Sequence, residues 1–502
     1  MTNKQSARRR AFAVLVIAST MVPIPAAAQA AADPASSPIA ANARLDTSGR
    51  WFVDSQGRIV IIRGFNMINK LPPYTLSAAG FTEEDAIIMQ REGFNGVRVG
   101  VIYSAVEPSP GKYDDRYLED IERSVRMLAS HGIWSLIDFH QDAWGPTFKG
   151  QGMPEWATLI DGLPTTPNPG FPAVYMTLPA VSRAFDNFWH NKPGPGGVGL
   201  QDRYAAAWAH VASRFAKVPG VMGYEIMNEP FPGSPWPECM SKVGCPGFDK
   251  LFDEFNARIA KAIQRRDPNT IVFYEPNVLF DGAIPTYVAR PIKGSRVGFS
   301  FHPYARVSRA LGLADQYAAL TRTALLASEW GATTETPLMK SIAKEMDDGM
   351  MSWLYWAWAN KPGYEVTGGA ELGDVAEGGP NHGVVYDLTG PRAEPNLRED
   401  RLNALARPYP RAVTGTPNQF SFDPATRVFT LTYFPRAVPA APRTIAAGAQ
   451  TEIFLPKRHY KNGYKTTVTG ATVVSPDNAR VLRLTNQSDA KTVTVRVEPA
   501  GR

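Results

Sequence analysis

An apolar run, Tyr224-Glu225-Ile226-Met227, leads straight into Asn228-Glu229-Pro230, and a hundred residues later Leu325-Leu326-Ala327-Ser328 leads into Glu329-Trp330-Gly331. Each run has the length and composition of a short buried strand, so each delivers a glutamate into the loop beyond it. One such glutamate reads as a solvated strand cap. Two together have the chemistry of glycoside hydrolysis, in which one carboxyl protonates the leaving oxygen while the other attacks or stabilises the sugar carbon.

Residues at the other strand exits decide between those readings. Arg98, in Gly96-Val97-Arg98-Val99, brings a permanently charged fork that can keep a carboxylate nucleophile ionised or serve as an ordinary ion-pair partner. Asp138, His140 and Asp142 alternate along one stretch, and side chains two apart share a face of a strand. A catalytic zinc takes about three protein ligands, and with no matching Cys, His or Glu partner for this cluster, neither metal nor cofactor is expected. In Phe301-His302-Pro303-Tyr304, the tyrosine can steer a carboxylate and the histidine can position or tune the acid; a core aromatic beside a satisfied histidine has the same pattern. The alternating aromatics of Trp353-Leu354-Tyr355-Trp356-Ala357-Trp358 offer one set for the core and another for stacking on a sugar, with Trp356 as the favoured platform. Lys70 completes the expected substrate-binding set.

The elements that must position these residues alternate in type. Short apolar runs at 59–66, 96–102, 133–140, 221–229, 270–277, 297–304, 325–331 and 351–359 read as strands, and helical periodicity is clearest at 115–130, 204–216, 248–265 and 337–346. Eight strands with interleaved helices predict a (β/α)8 TIM barrel, whose chemistry sits at the C-terminal ends of its strands. The connection from His140 to Gln201, rich in Gly, Pro and aromatics, far exceeds an ordinary βα loop and is a candidate lid or recognition insertion. From Gln419 to Pro499 the pattern changes to β-branched alternation, which predicts a small antiparallel β-sandwich.

Length agrees, since 502 residues leave room for a barrel of about 250 to over 400 residues plus a smaller module. The expected division is a leader at 1–32, the barrel at 33–410 and the C-terminal domain at 411–502. The leader reads as a secretory signal: a basic start, an apolar run over 11–22 and small-residue cleavage sites around Ala26-Ala27-Ala28-Gln29-Ala30. Arg9-Arg10-Ala11-Phe12 fits a twin-arginine signal or a plain basic leader, and the run is too short to anchor in a bilayer. Without the leader bases Lys4, Arg8, Arg9 and Arg10 the formal charge of +6 falls to about +2, so nucleic acid is not an expected partner. Cys239 and Cys245, the two cysteines of the chain, read as a loop-stapling disulfide in an oxidising compartment.

The set Arg63-Gly64-Phe65-Asn66, Arg98, His140, Asn228-Glu229-Pro230, His302 with Tyr304, Glu329 and Trp356 resembles glycoside hydrolase family 5 across the whole barrel. Within that family, Asp138-Phe139-His140-Gln141-Asp142, Ser328-Glu329-Trp330-Gly331-Ala332 and Arg407-Pro408-Tyr409-Pro410 before a C-terminal β-domain are similar to endoglycoceramidases. The resemblance implies Glu229 as acid/base, Glu329 as nucleophile, Asn228 on the sugar 2-hydroxyl and Asp138 on the sugar beside the cleavage point. The interval between the glutamates is short for that group, which implies trimmed loops after the fourth to sixth strands and leaves a galactose-first glycan series as open as a glucose-first one.

The expectation is therefore a secreted, monomeric, retaining endo-β-glycosidase acting between the glycan and ceramide of a glycosphingolipid, in transient contact with a membrane or micelle. Trp144, Phe148, Met153, Trp156, Phe171, Tyr175, Met176, Phe231 and Trp236 are candidates for an apolar wall facing the lipid, or for a small core within the loops. A neighbouring Glu329 charge is expected to raise the pKa of Glu229. Another β-glucoside, β-galactoside, β-glucan or β-mannan as substrate is the rival enzyme reading, and a non-catalytic glycolipid-binding module the rival of another class.

Overall fold

Eight parallel strands close on themselves in chain order in the computed structural model, which describes residues 37–294, 296–359, 381–439 and 441–501; the expected leader lies outside them. The barrel strands are Arg63–Met67, Gly96–Val101, Trp134–Phe139, Val221–Glu225, Ile271–Tyr274, Val297–Phe301, Ala324–Ala327 and Trp353–Tyr355, and the eighth pairs with the first through Trp353 opposite Arg63. Almost every strand residue is buried, as a sheet covered on both faces requires. The strands stop short of the apolar runs. The fourth ends at Glu225 although Ile226 and Met227 are also buried, so Glu229 stands in the loop at the barrel mouth.

The helix Asp115–Ser130 shows why the coat forms. Asp114 caps it by accepting the backbone N–H groups of Arg116 and Tyr117, while Leu118, Ile121, Val125 and Leu128 bury one face against the barrel. Helices Leu200–Phe215, Pro246–Gln264, Val307–Thr321 and Thr336–Asp348 likewise bury one face, without a side-chain cap. Between the fifth and sixth strands the described residues hold a short 3₁₀ helix, Val278–Gly282, in place of an α-helix.

The run 59–66 divides between two structures. Ile59–Val60 pairs with Tyr409–Val413 in a seven-stranded antiparallel sheet that also takes in Asp46–Ser48 and Trp51–Val53, and the chain enters the barrel at Arg63. Val53, Ile59 and Ile61 join the C-terminal core, whereas Phe52, Val60 and Ile62 pack with Leu136, Met222, Phe273 and Leu354. An apolar run continuous in sequence thus feeds two cores. The second sheet of the C-terminal sandwich has four antiparallel strands, and in Val428–Phe434 burial alternates residue by residue, the period-two pattern of a half-buried strand. Asp347 ties the sandwich to the barrel by receiving both Arg63 and, at 2.8 Å, Arg407.

The long third connection folds on itself. It forms helices Ala173–Thr177 and Pro179–Trp189, and Trp144 packs edge-on against Phe185 and Phe188 with its indole N–H on Thr158 Oγ1 at 3.0 Å. Trp144, Phe148, Met153, Tyr175 and Phe231 are all buried in this core, so they do not form a lipid-facing wall. Aromatic density here reflects a local core that the insertion needs in order to fold.

Candidate active site

All eight strands, or the loops just beyond them, send a side chain toward one cluster at the barrel's C-terminal mouth, Asn66 coming from the first. Arg98 lies at its centre without exposed surface. Its Nε donates to Glu225 and one terminal nitrogen to Glu329 and Asn66; the other lies 2.8 Å from Asn228 Oδ1, 3.1 Å from Glu275 Oε1 and 3.2 Å from Asp138 Oδ2. Only a planar fork with several donors fits so many acceptors. Tyr304 donates its hydroxyl to the other oxygen of Glu329 at 2.7 Å, so that carboxylate is held from both sides.

Glu229 is held by its backbone. Its φ of 44° is left-handed, a conformation that costs a non-glycine residue on the order of 1 kcal/mol and persists where surroundings enforce it. Here the N–H donates to Glu275 Oε2 at 3.0 Å and the carbonyl accepts Gln141 Nε2 at 3.0 Å. His302 Nδ1 sits 2.9 Å from Glu229 Oε1 and 3.8 Å from Glu329 Oε2, so those two oxygens are no more than about 6.7 Å apart.

Another part of the cleft is built around Trp356. His140 stacks nearly parallel to it with centroids 5.8 Å apart, and Lys70 Nζ lies 4.6 Å from its ring. His140 Nδ1 contacts Asp138 Oδ2 at 2.8 Å, and its Nε2 lies 3.3 Å from Asp142 Oδ2, which also pairs with Lys70 at 2.8 Å. The cleft, about 300 Å³, is lined by Lys70, His140, Asp142, Glu229, Asp281, Tyr304, Glu329, Trp356 and His382, with Phe171, Pro172, Val278, Ala305 and Ala332 as its apolar part. Asp138 is a correction to the sequence reading: fully buried under His140, it orients that ring and does not line the cleft, whereas Asp142 does. Asn228 is also buried, with its amide already donating to Gln141 O. A larger hollow of about 600 Å³ in the C-terminal sandwich is lined by Arg427, Lys461, Lys465 and, as its one acid among the described residues, Glu498.

Among the described residues seven carboxyl groups crowd this site, those of Asp138, Asp142, Glu225, Glu229, Glu275, Asp281 and Glu329, beside the five bases Lys70, Arg98, His140, His302 and His382. Burial works against charge on His140, but bonds to Asp138 and Asp142 raise it to about 8. His302 is likewise penalised by burial and raised well above its usual value by Glu275, Glu329 and Glu229. Burial would push Glu229 up, yet the bond to His302 leaves it below the ordinary carboxylate value. This reverses the expected upward shift, because a cationic imidazole stands between the two glutamates. Burial and neighbouring acids instead raise Glu275 and Asp281 well above theirs.

Glu225, Glu275 and Asp281 were not picked out from the sequence. Glu275-Pro276 repeats the strand-then-Glu-Pro pattern of Glu229-Pro230 and carried a usable signal. Asp281 had none, since only the turn of the 3₁₀ helix brings it back to the mouth. Glu229, Asp281 and His302 offer ligand-type atoms within 4.8 Å of one another. Within this set His302 Nδ1 lies 2.9 Å from Glu229 Oε1 and 3.9 Å from Asp281 Oδ2. Cys239 and Cys245 form a disulfide in the loop after the fourth strand, and Gly244, at φ 70°, passes so close to Pro285 O that a Cβ would sit 2.1 Å away.

A glycosyl hydrolase family 5 cellulase profile matches residues 53–362, and the profile for the C-terminal domain of the same family matches 407–497. The chain belongs to glycoside hydrolase family 5. It is 30% identical over 482 residues to endoglycoceramidase I of Rhodococcus hoagii, covering 91% of this chain and 88% of that protein. An endoglycoceramidase of Cyanea nozakii is 28% identical over 460 residues, covering 83% and 85%. Endo-glycoceramidase II from a Rhodococcus species, solved with ganglioside GM3, is 28% identical at a TM-score of 0.70, covering 90% of this chain and 99% of that one.

Proposed function

We propose that this family 5 enzyme is an exported, retaining endo-β-glycosidase that cuts between the oligosaccharide and ceramide of glycosphingolipids. The observation that carries the reading is the composition of the cleft. Around the two fixed glutamates it combines groups suited to a sugar, Lys70, His140, Asp142 and Trp356, with the apolar Phe171, Pro172, Val278, Ala305 and Ala332. The names of its relatives and the ganglioside seated in one of them support the same substrate class.

In this mechanism Glu329 attacks the anomeric carbon while Glu229 protonates the oxygen leaving with ceramide; Glu229 then deprotonates the water that releases the glycan. Retention calls for carboxyls about 5 to 5.5 Å apart, against about 6.5 to 9.5 Å for inversion. The shared contact with His302 Nδ1 favours the shorter spacing. Export rests on the basic and apolar leader. Contact with a membrane or micelle is supported by Met240, Val243 and Tyr287, each more than half exposed on neighbouring loops. No helix among the described residues is long and apolar enough to cross a membrane.

Comparison of aglycones tests the proposal. Replacing ceramide by a short alkyl group should lower kcat/KM about a hundredfold, because losing even four buried CH₂ groups at ~0.8 kcal/mol each removes about 3 kcal/mol. Phe171→Ala should lower glycolipid turnover about tenfold and affect aryl glycosides less. Equal efficiency on lactosylceramide and on lactosides with short or polysaccharide aglycones contradicts the glycolipid reading and favours another β-glycoside.

A further inference from the structure

The acid/base carboxyl has a partner that the two-glutamate mechanism does not use. Asp281 reaches the cleft from the 3₁₀ helix after the fifth strand, and its main chain is pinned there because Ala305 N–H donates to Asp281 O at 2.9 Å. Its side-chain Oδ2 lies 3.9 Å from His302 Nδ1, the nitrogen that also contacts Glu229, and the ligand-type atoms of all three fall within 4.8 Å. Glu275 and Glu329 face this group from the fifth and seventh strands, Tyr304 from the sixth and Asp142 from the third loop. Carboxyls outnumber bases here among the described residues, and like charges so close disfavour one another's ionisation.

We propose that Asp281 is a positioning residue that shares one proton with Glu229, storing it between turnovers and returning it for protonation of the leaving oxygen. The inference rests on the glycosidase mechanism above. In the first step the bond from the anomeric carbon to the aglycone oxygen breaks and a bond to Glu329 forms. The shared proton passes through Glu229 to the departing oxygen, leaving Glu229 and Asp281 both ionised. In the second step water loses a proton to Glu229, and that proton restores the pair as the glycosyl ester is hydrolysed. Asp281 lies well above the ordinary aspartate value, through burial and then the Glu229 charge, which agrees with its being the resting site of the proton.

The sign of the test follows from repulsion. While Asp281 is ionised, the last proton on Glu229 is held more tightly, so the pair stays competent to higher pH than Glu229 alone. Asp281→Asn removes the repulsion but keeps a hydrogen-bond donor. The alkaline limb of kcat/KM on a natural glycolipid should move about one unit toward acid, a loss of about tenfold at pH values above the limb. Asp281→Ser should shift it likewise, and Asp281→Glu should restore the wild-type limb. A dinitrophenyl glycoside, whose leaving group needs no proton, should show no such displacement. An unmoved limb on glycolipid in Asp281→Asn, or in Asp281→Ser if the first variant does not fold, overturns the proposal. A profile lowered uniformly at all pH values also overturns it, since that is what a merely structural role produces. Loss of the leaving-group contrast itself, with Glu229→Gln equally slow on both substrates, would instead refute the parent mechanism.

Discussion

Glu229→Gln should lose on the order of 10²–10⁴ in kcat/KM on natural glycolipids while still glycosylating on substrates with good leaving groups. The asymmetry follows from geometry. Glu229 stands beside His302 in a fixed left-handed backbone conformation and in the proposed mechanism handles the proton, whereas Glu329, with both oxygens held by Arg98 and Tyr304, is the proposed nucleophile. A dinitrophenyl leaving group needs no proton, so the first step survives and the glycosyl-enzyme accumulates. Glu329→Gly should abolish turnover of every substrate, and added azide, small enough to enter the space left behind, should restore activity with an inverted product. Stopped-flow detection of the released aryl alcohol checks the first outcome and product stereochemistry the second. A Glu229 variant equally slow on good and poor leaving groups would show that the roles are assigned wrongly.

Sequence patterns located both glutamates, because each follows an apolar run into a loop, and all eight barrel strands were visible for the same reason. What they missed was set by chain geometry beyond the strand. Ile59 and Ile61 look continuous with the first barrel strand yet belong to the sandwich core, a division that depends on pairing with Tyr409–Val413 some 350 residues away. Asp138 and Asp142 look alike on an alternating stretch, but Asp138 still lies on the strand, under His140, while Asp142 has passed into the loop and turns to Lys70. The aromatics of the third connection read equally well as a lipid wall or a local core, and only their packing against Phe185 and Phe188 distinguishes the two. Asp281 was invisible since proximity to Glu229 depends on a turn without a motif.

Arg98→Met should be the most destabilising single change in the site. It strands Asp138, Glu225 and Glu275 in the interior without their shared cation, and removing one partner of a buried ion pair costs about 3–5 kcal/mol. Arg98→Lys should recover little, because a single ammonium cannot span acceptors distributed around a planar fork. The deficit should depend on pH with a definite sign. Burial already holds Asp138 and Glu275 above their ordinary values, and loss of the arginine charge raises them further. A carboxyl raised in the folded state takes up protons on folding, so stability is lost as pH rises from about 4 through the folded-state value. Denaturant unfolding of wild type and variant at pH 5 and pH 8 should therefore show the larger gap at pH 8. A gap independent of pH would mean that packing, rather than uncompensated charge, accounts for the loss.

The central claim is retaining cleavage at the glycan–ceramide bond, and one measurement bears on it most directly. Lactosylceramide is incubated with the enzyme in an NMR tube, the anomeric signal of the first-formed sugar is read before mutarotation, and the lipid product is weighed by mass spectrometry. The account predicts intact lactose appearing first as the β-anomer, together with free ceramide. Initial α-lactose, or release of galactose with glucosylceramide left behind, would contradict it.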